Sequence, residues 1–265
     1  MSAWGTRRQL SFVFIFVLLL AVAIVVLLIA NRHVPSCSDD LANQGEIGID
    51  CGGPCTKVCS DEASELVVLW TRVFKVRDGA YDIAAFVENP NTFGLTDLTY
   101  KIRVYDAENI PVKDVEGSTY LNPHARTLIL VPQVDVGFRI PTRAFITFPD
   151  NLDWKRLQDT GPEPLLLTNQ RIETEPVLSL RTTVTNDSLR SIEDIELSAF
   201  LYGESGNVVH VSRTYLEELP SGASKDVVLT WPFPPLERIV SADILPRFDQ
   251  VLPNIITTEK VGDQQ

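Results

Sequence analysis

Tyr81–Asp106 reads YDIAAFVENPNTFGLTDLTYKIRVYD, and Leu178–Gly203 reads LSLRTTVTNDSLRSIEDIELSAFLYG. Laid over each other at a single ungapped offset of 97, apolar residues meet apolar residues: Tyr81/Leu178, Ile83/Leu180, Val87/Val184, Leu95/Ile192, Leu98/Ile195, Tyr100/Leu197, Ile102/Ala199 and Val104/Leu201. Asn89/Asn186, Asp97/Asp194 and Tyr105/Tyr202 are identical. Farther on, Thr119-Tyr120-Leu121 answers Thr214-Tyr215-Leu216, and Leu130-Val131-Pro132 answers Thr230-Trp231-Pro232. Self-similarity of this kind marks two copies of one folding unit.

Each copy reads as β. Leu98, Tyr100, Ile102 and Val104 alternate with Thr99, Lys101 and Arg103, and Ile195, Leu197, Ala199 and Leu201 alternate with Glu196, Ser198 and Phe200. That period of two predicts strands with one buried face. Turn residues at 106–109 and 203–207 then precede Ile110-Pro111-Val112 and Val208-Val209-His210-Val211, so each copy is expected to contain a hairpin. Asn89 and Asn186 end the preceding strands, where Asn tolerates left-handed backbone and bonds its own main chain. Copy 1 spans residues 66–148 and copy 2 residues 165–248, each with six or seven short strands, the size and pattern of an antiparallel β-sandwich. Residues 149–164 form the linker, with one or two helical turns expected over Asn151–Leu157 before Gly161-Pro162-Glu163-Pro164 stops them. Residues 249–265 read as a flexible tail, because the apolar alternation fades.

Before the repeats lies Leu10–Ala30, 21 residues without a charge, long enough at ~1.5 Å per residue to cross the ~30 Å hydrocarbon core of a bilayer. Arg7 and Arg8 precede it with no acid nearby, whereas Asp39 and Asp40 follow a lone Arg32, which favours an N-inside orientation. A cleaved signal peptide has a shorter apolar run of ~7–15 residues and a small-x-small site, and Leu28-Ile29-Ala30 makes a poor one. A lipoprotein would need Cys37 directly after the apolar run, but Asn31-Arg32-His33 intervene. Residues 1–9 are therefore expected in the cytoplasm, residues 10–30 as a single transmembrane helix in contact with membrane lipid, and the remainder outside.

All four cysteines fall in the next segment, the spacer at 31–62, as Cys37-x13-Cys51-x3-Cys55-x3-Cys59. An even count in a short stretch on the oxidising side of a membrane points to disulfides among Cys37, Cys51, Cys55 and Cys59, with three pairings open. A thiolate zinc site usually draws on two separated Cys-x2–4-Cys pairs, and three crowded cysteines with one remote break that pattern. Asp39, Asp40, Glu46 and Asp50 lack the spacing of an EF-hand and read as turn residues rather than calcium ligands. Gly45, Gly48, Gly52 and Gly53 suit tight turns between cross-links.

CSDDLANQGEIGIDCGGPCTKVC, residues 37–59, resembles a short cysteine-rich motif of bacterial surface and envelope proteins, with Asp40 where that motif usually has Gly. The resemblance implies export and no activity. Val87-Glu88-Asn89-Pro90-Asn91, with the strand end Ile102-Arg103-Val104-Tyr105-Asp106, resembles the FxLYD domain and the Asn-Pro-Asn pattern of WHy and late-embryogenesis-abundant type 2 domains. Copy 2 matches through Ala199-Phe200-Leu201-Tyr202-Gly203, with Gly203 in place of the Asp, and has Asn186-Asp187-Ser188 where copy 1 has Asn-Pro-Asn. This likeness implies that both sandwiches are immunoglobulin-like, and it carries no catalytic residues.

The expected fold class is thus mainly β: an N-terminal transmembrane helix, a small disulfide-rich segment and two tandem immunoglobulin-like antiparallel β-sandwiches. The net charge is −12, and the two Arg of residues 1–30, unopposed by acid, leave −14 on residues 31–265. Such a surface repels phosphate backbones, so no nucleic-acid partner is expected. His33, His124 and His210 are the only histidines, and none sits in a catalytic motif. The chain has no H-E-x-x-H, no P-loop and no G-x-G-x-x-G, so no catalytic residue, cofactor or metal is expected. Trp70, Trp154 and Trp231 are expected to serve packing rather than a carbohydrate or protein contact. The expected function is membrane-anchored, non-catalytic binding or scaffolding in the bacterial envelope, with an envelope protein as partner. The alternatives are a stress-protective role like that of WHy domains and, behind it, a subunit of an envelope hydrolase.

Overall fold

A computed structural model describes residues 3–30, 36–156, 164–231, 233 and 237–250 and, within the first helix, the side chains of residues 12–26. Arg32, His33, the Gly161-Pro162-Glu163 stop and the tail beyond Gln250 lie outside the described residues. The chain divides into two compact units, Met1–Pro54 and Cys55–Gln265.

The first unit opens with α1 (Ala3–Ala30), a helix free of Pro and Gly beyond Gly5 and rich in Leu, Val and Ile. Side chains are described for fifteen of its residues, all exposed, a stretch of about 22 Å at helical rise. Among the described residues no helix is long and apolar enough to cross a membrane. The span over residues 10–30 therefore rests on the sequence. The rest of this unit is a set of turns built by carboxylates. Asp50 accepts the backbone N–H groups of Asp39 and Asp40 at 2.9 and 3.0 Å, and Asp39 accepts those of Ser36 and Leu41 at 3.2 and 3.1 Å. Gly53 has a φ of +56°, and a Cβ there would collide with the Gly45 carbonyl, so only glycine fits.

Among the described residues the regular structure of the second unit is β apart from one short 3₁₀ turn, Ser60–Glu62. Its strands are β1 (Val67–Arg77), β2 (Ala80–Glu88), β3 (Phe93–Tyr105), β4 (Pro111–Leu121), β5 (Arg126–Asp135), β6 (Arg143–Thr147), β7 (Lys155–Arg156), β8 (Leu165–Glu173), β9 (Leu178–Asn186), β10 (Ile192–Gly203), β11 (Val208–Leu219), β12 (Ser224–Trp231) and β13 (Ile239–Arg247). Four antiparallel sheets form, ordered β1-β2-β5, β4-β3-β6, β8-β9-β12 and β11-β10-β13, with β7 added to β3. The first pair and the second pair have the same strand order, so β1–β6 and β8–β13 repeat one topology. Each pair closes on its own core. Ile83 and Val87 of β2 meet Ile102 and Val104 of β3 in the first, and Leu180 and Val184 of β9 meet Ile195, Leu197 and Leu201 of β10 in the second. Each such fully buried aliphatic side chain contributes roughly 1.5–3 kcal/mol. The same bulge recurs as well: the pairing slips between Val104 and Tyr105 in β3 and at the equivalent place, between Leu201 and Tyr202, in β10.

Asn89 and Asn186 play one role twice, and it is not the left-handed turn expected of them. Both are fully buried, and neither has a positive φ. Asn89 Nδ2 donates to the carbonyls of Phe93 and Asn122 at 2.7 and 2.9 Å, while its Oδ1 accepts the Asn91 N–H at 3.0 Å. Asn186 donates to the carbonyls of Arg190 and Leu219 at 2.7 and 2.8 Å and accepts the Ser188 N–H at 2.9 Å. One amide thus ties the end of a strand to two other chain segments, satisfying groups that would otherwise be buried unpaired.

Three further features differ from the sequence reading. β10 is buried on both faces: Ile195, Leu197, Ala199 and Leu201 point into their own core, and Glu196, Ser198 and Phe200 are also buried, because repeat 1 covers the outer face. The described part of the linker forms no helical turn, since Asn151–Trp154 is irregular and Lys155-Arg156 pairs as β7 with Phe93-Gly94. Residues 55–62, assigned by sequence to the spacer, fold against repeat 1. Val58 is buried with Phe93, Leu95 and Trp154, and the main chain ladders through Val58 N–H to the Trp154 carbonyl at 3.2 Å and Arg156 N–H to the Thr56 carbonyl at 2.7 Å.

Candidate binding groove between the repeats

The repeats meet sheet to sheet. From repeat 1 come Phe74, Ala84, Leu128 and Leu130 of the outer face of β1-β2-β5, and from repeat 2 Phe200, Val208 and Val211 of β10 and β11. Aromatic rings lock the seam: Phe86 lies 5.0 Å from Phe200 between centroids, and Phe74 stacks on His210 at 5.5 Å. This is a hydrophobic core between the repeats.

At one edge of the seam the apolar contact gives way to charge. Glu196, in the middle of β10 and only 3% exposed, binds Arg247 of β13 in a fork, Nε to Oε1 and Nη2 to Oε2 at 3.0 Å each. Arg247 also reaches repeat 1, donating to the Tyr120 carbonyl at 3.2 Å and to Thr119 Oγ1 at 3.1 Å, with its guanidinium 4.4 Å from the Tyr120 ring centroid. A bidentate pair with its remaining donors satisfied holds a buried charge at tolerable cost. Arg213 of β11 lies beside it, 3.6 Å from Glu196, donating to the Leu130 carbonyl of repeat 1 at 3.3 Å and lying over the ring of Tyr215.

Around these residues two hollows share Leu130, Arg213 and Tyr215. One, of about 430 Å³, is lined by Tyr100, Tyr120, Glu196 and Arg247 among others, and the second, of about 310 Å³, by Asp82, Gln133, His210, Trp231 and Phe233. Burial raises the phenol pKa values of Tyr100, Tyr120 and Tyr215 above the ordinary tyrosine value, so each keeps its proton and stays a donor at neutral pH. Burial likewise raises Asp82, partly offset by the Gln133 N–H it accepts and by His210. A larger hollow of about 560 Å³ lies elsewhere along the seam. Its polar groups are engaged, with Arg72 held by the Val208 carbonyl at 2.7 Å and Arg143 by Asn109.

The residues singled out by sequence fall elsewhere or turn out structural. Cys37, Cys51, Cys55 and Cys59 are all disulfide-bonded, in two bridges, which leaves no thiolate for zinc. The spacer carboxylates Asp39 and Asp50 hold backbone amides. His124 is an exposed turn residue with φ +50°. Trp154 and Trp231 are buried, and Trp70 packs against Phe74, Phe86 and Phe200 in the seam. His210, of β11, is buried, only 6% exposed. Glu196, Arg213 and Arg247 escaped the sequence reading. The available signal was an acid standing inside the apolar run of β10. A scan of the chain against protein-family models gives no match, and neither does a search of curated proteins.

Proposed function

We propose that the chain is a single-pass, N-inside protein of the bacterial cell envelope that carries its two sandwiches outside the membrane as a non-catalytic binding or scaffolding module. The observation that carries this reading is the seam. Two repeats fused through an aromatic core and a buried Glu196–Arg247 fork present fixed surfaces and a polar groove, as binding by a rigid body requires. The uncharged stretch Leu10–Ala30 supports the anchor, and four oxidised cysteines support an oxidising compartment. An envelope protein is the partner this reading expects, held at high local concentration by confinement to the same surface.

Protease added outside spheroplasts tests the placement, with an alkylating dye applied to the unreduced chain in parallel. The reading requires digestion of the β unit and no dye on any sulfur. Protection from protease together with four reactive thiols would overturn it.

A further inference from the structure

The two hollows that meet at Arg213 and Tyr215 run between β5, an edge strand of repeat 1, and β11, an edge strand of repeat 2. Edge strands ordinarily offer free main-chain groups to an added strand. Here side chains already occupy them. Asp82 Oδ1 accepts the Gln133 N–H at 2.8 Å, and Arg213 donates to the Leu130 carbonyl. On β11, His210 Nδ1 accepts the Val211 N–H at 3.0 Å, and Trp231 Nε1 donates to the Val211 carbonyl at 3.1 Å. β5 also carries Pro132, which has no N–H, and Gln133 at φ +52°. An extended peptide therefore finds the main-chain groups of Gln133 and Val211 and the Leu130 carbonyl already taken along this groove, which favours a ligand read by side chains.

Those side chains leave polar atoms over. His210 Nδ1 lies 3.0 Å from both the N–H and the carbonyl oxygen of Val211, and its Nε2 is buried with no hydrogen-bond partner. The Tyr120 hydroxyl in the adjoining hollow is likewise buried without one. A buried polar atom left without a partner is costly, and among the described residues two of the four side-chain atoms in this condition belong to residues lining this one groove. Acceptors stand beside the donors: Asp82 in one hollow, Asp194 and Glu196 in the other. Arg213 and Arg247 balance Asp194 and Glu196, so a strongly charged ligand gains little. Tyr215 and Phe233, 58% and 50% exposed, add aromatic faces at the rim.

Mixed donors and acceptors, near-neutral charge, exposed rings and a blocked main chain fit a molecule that carries many hydroxyls on an apolar ring frame. We propose that this inter-repeat groove binds a neutral saccharide, held by His210, Asp82 and Arg213 in one hollow and by Tyr120 and Tyr215 in the other. The proposal rests on the binding reading given above and names its ligand.

The test uses the full chain in lipid nanodiscs free of detergent and glycolipid, titrated with cellobiose, maltose and diacetylchitobiose. Tryptophan fluorescence reports on Trp231 in the groove wall, and saturation-transfer NMR reports on the sugar. At least one disaccharide should bind saturably with a Kd below about 1 mM. Tyr215→Ala, which removes an exposed ring, and Arg213→Ala should each weaken it about tenfold or more. No saturable response at about ten times that concentration, or binding indifferent to both variants, would overturn the proposal. Binding of an uncharged strand-forming pentapeptide that both variants abolish, with no sugar bound, would overturn it while leaving the binding reading intact. Protease protection in spheroplasts would instead overturn the binding reading itself.

Discussion

Replacing Glu196 by Ala strips Arg247, whose side chain is 8% exposed, of the carboxylate that binds it in a fork. The guanidinium keeps the Tyr120 carbonyl and Thr119 Oγ1 but loses both oxygens of the fork, so a nearly uncompensated cation stays buried. Breaking a buried pair from one side costs about 3–5 kcal/mol. A domain is commonly stable by only about 5–15 kcal/mol, so the loss is a large share of the whole. In urea unfolding followed by tryptophan fluorescence, with the disulfides intact, the midpoint should fall by about 1.5–2.5 M if the m-value is near 2 kcal/mol per molar. The double variant Glu196→Met with Arg247→Met should recover more than half of that loss, because matched apolar replacement of a buried pair is often close to neutral. A loss below about 1 kcal/mol for Glu196→Ala would mean a solvated pair of the surface kind, and the account of the seam would fail.

Asn89→Ala and Asn186→Ala should cost about 2–4 kcal/mol each and by similar amounts, since each strands two buried carbonyls and a turn N–H; differential scanning calorimetry on both variants checks it. Phe200→Ala should destabilise by about 3–5 kcal/mol and raise hydrogen exchange on β5 and β11 together, because its ring bridges the repeats. Asp82→Asn should stabilise at pH 7 and not at pH 3. Burial raises the folded pKa above 3.8, so the folded state holds its proton more tightly, and stability present below pH 3.8 is lost as pH rises through the folded value. The amide Oδ1 still accepts the Gln133 N–H, and thermal melts at the two pH values read the difference.

The strands and their repetition were legible because both are local. Alternation over Leu98–Val104 follows from the pleat, and the offset pairing Asn89 with Asn186 follows from two units sharing one topology. The groove was not legible, because its residues meet across great separations. Glu196 and Arg247 are 51 residues apart, and Arg213 and Leu130 are 83 apart. Alternation also cannot say that a strand's second face is covered by another domain, so Phe200 and Glu196 read as outward. Over its described residues, Asn151–Arg156, the helical reading failed because Phe93-Gly94 offered Lys155-Arg156 a ladder, a tertiary influence that overrides weak local preference.

The place where the β unit begins and the place where its last strand ends lie side by side. Val67 pairs with Glu88, the next residue, Asn89, holds the Asn122 carbonyl, and Asn122 Nδ2 in turn holds the carbonyl of Phe248. A gene rearranged to join the stretch after Phe248 to Leu66 by a short connector, and opened instead in the turn between β5 and β6, would preserve every pairing among β1–β13 while losing the contacts of residues 55–62 with Trp154 and Arg156. Circular permutation at that turn should therefore yield a foldable protein, with new ends at the opposite pole of repeat 1.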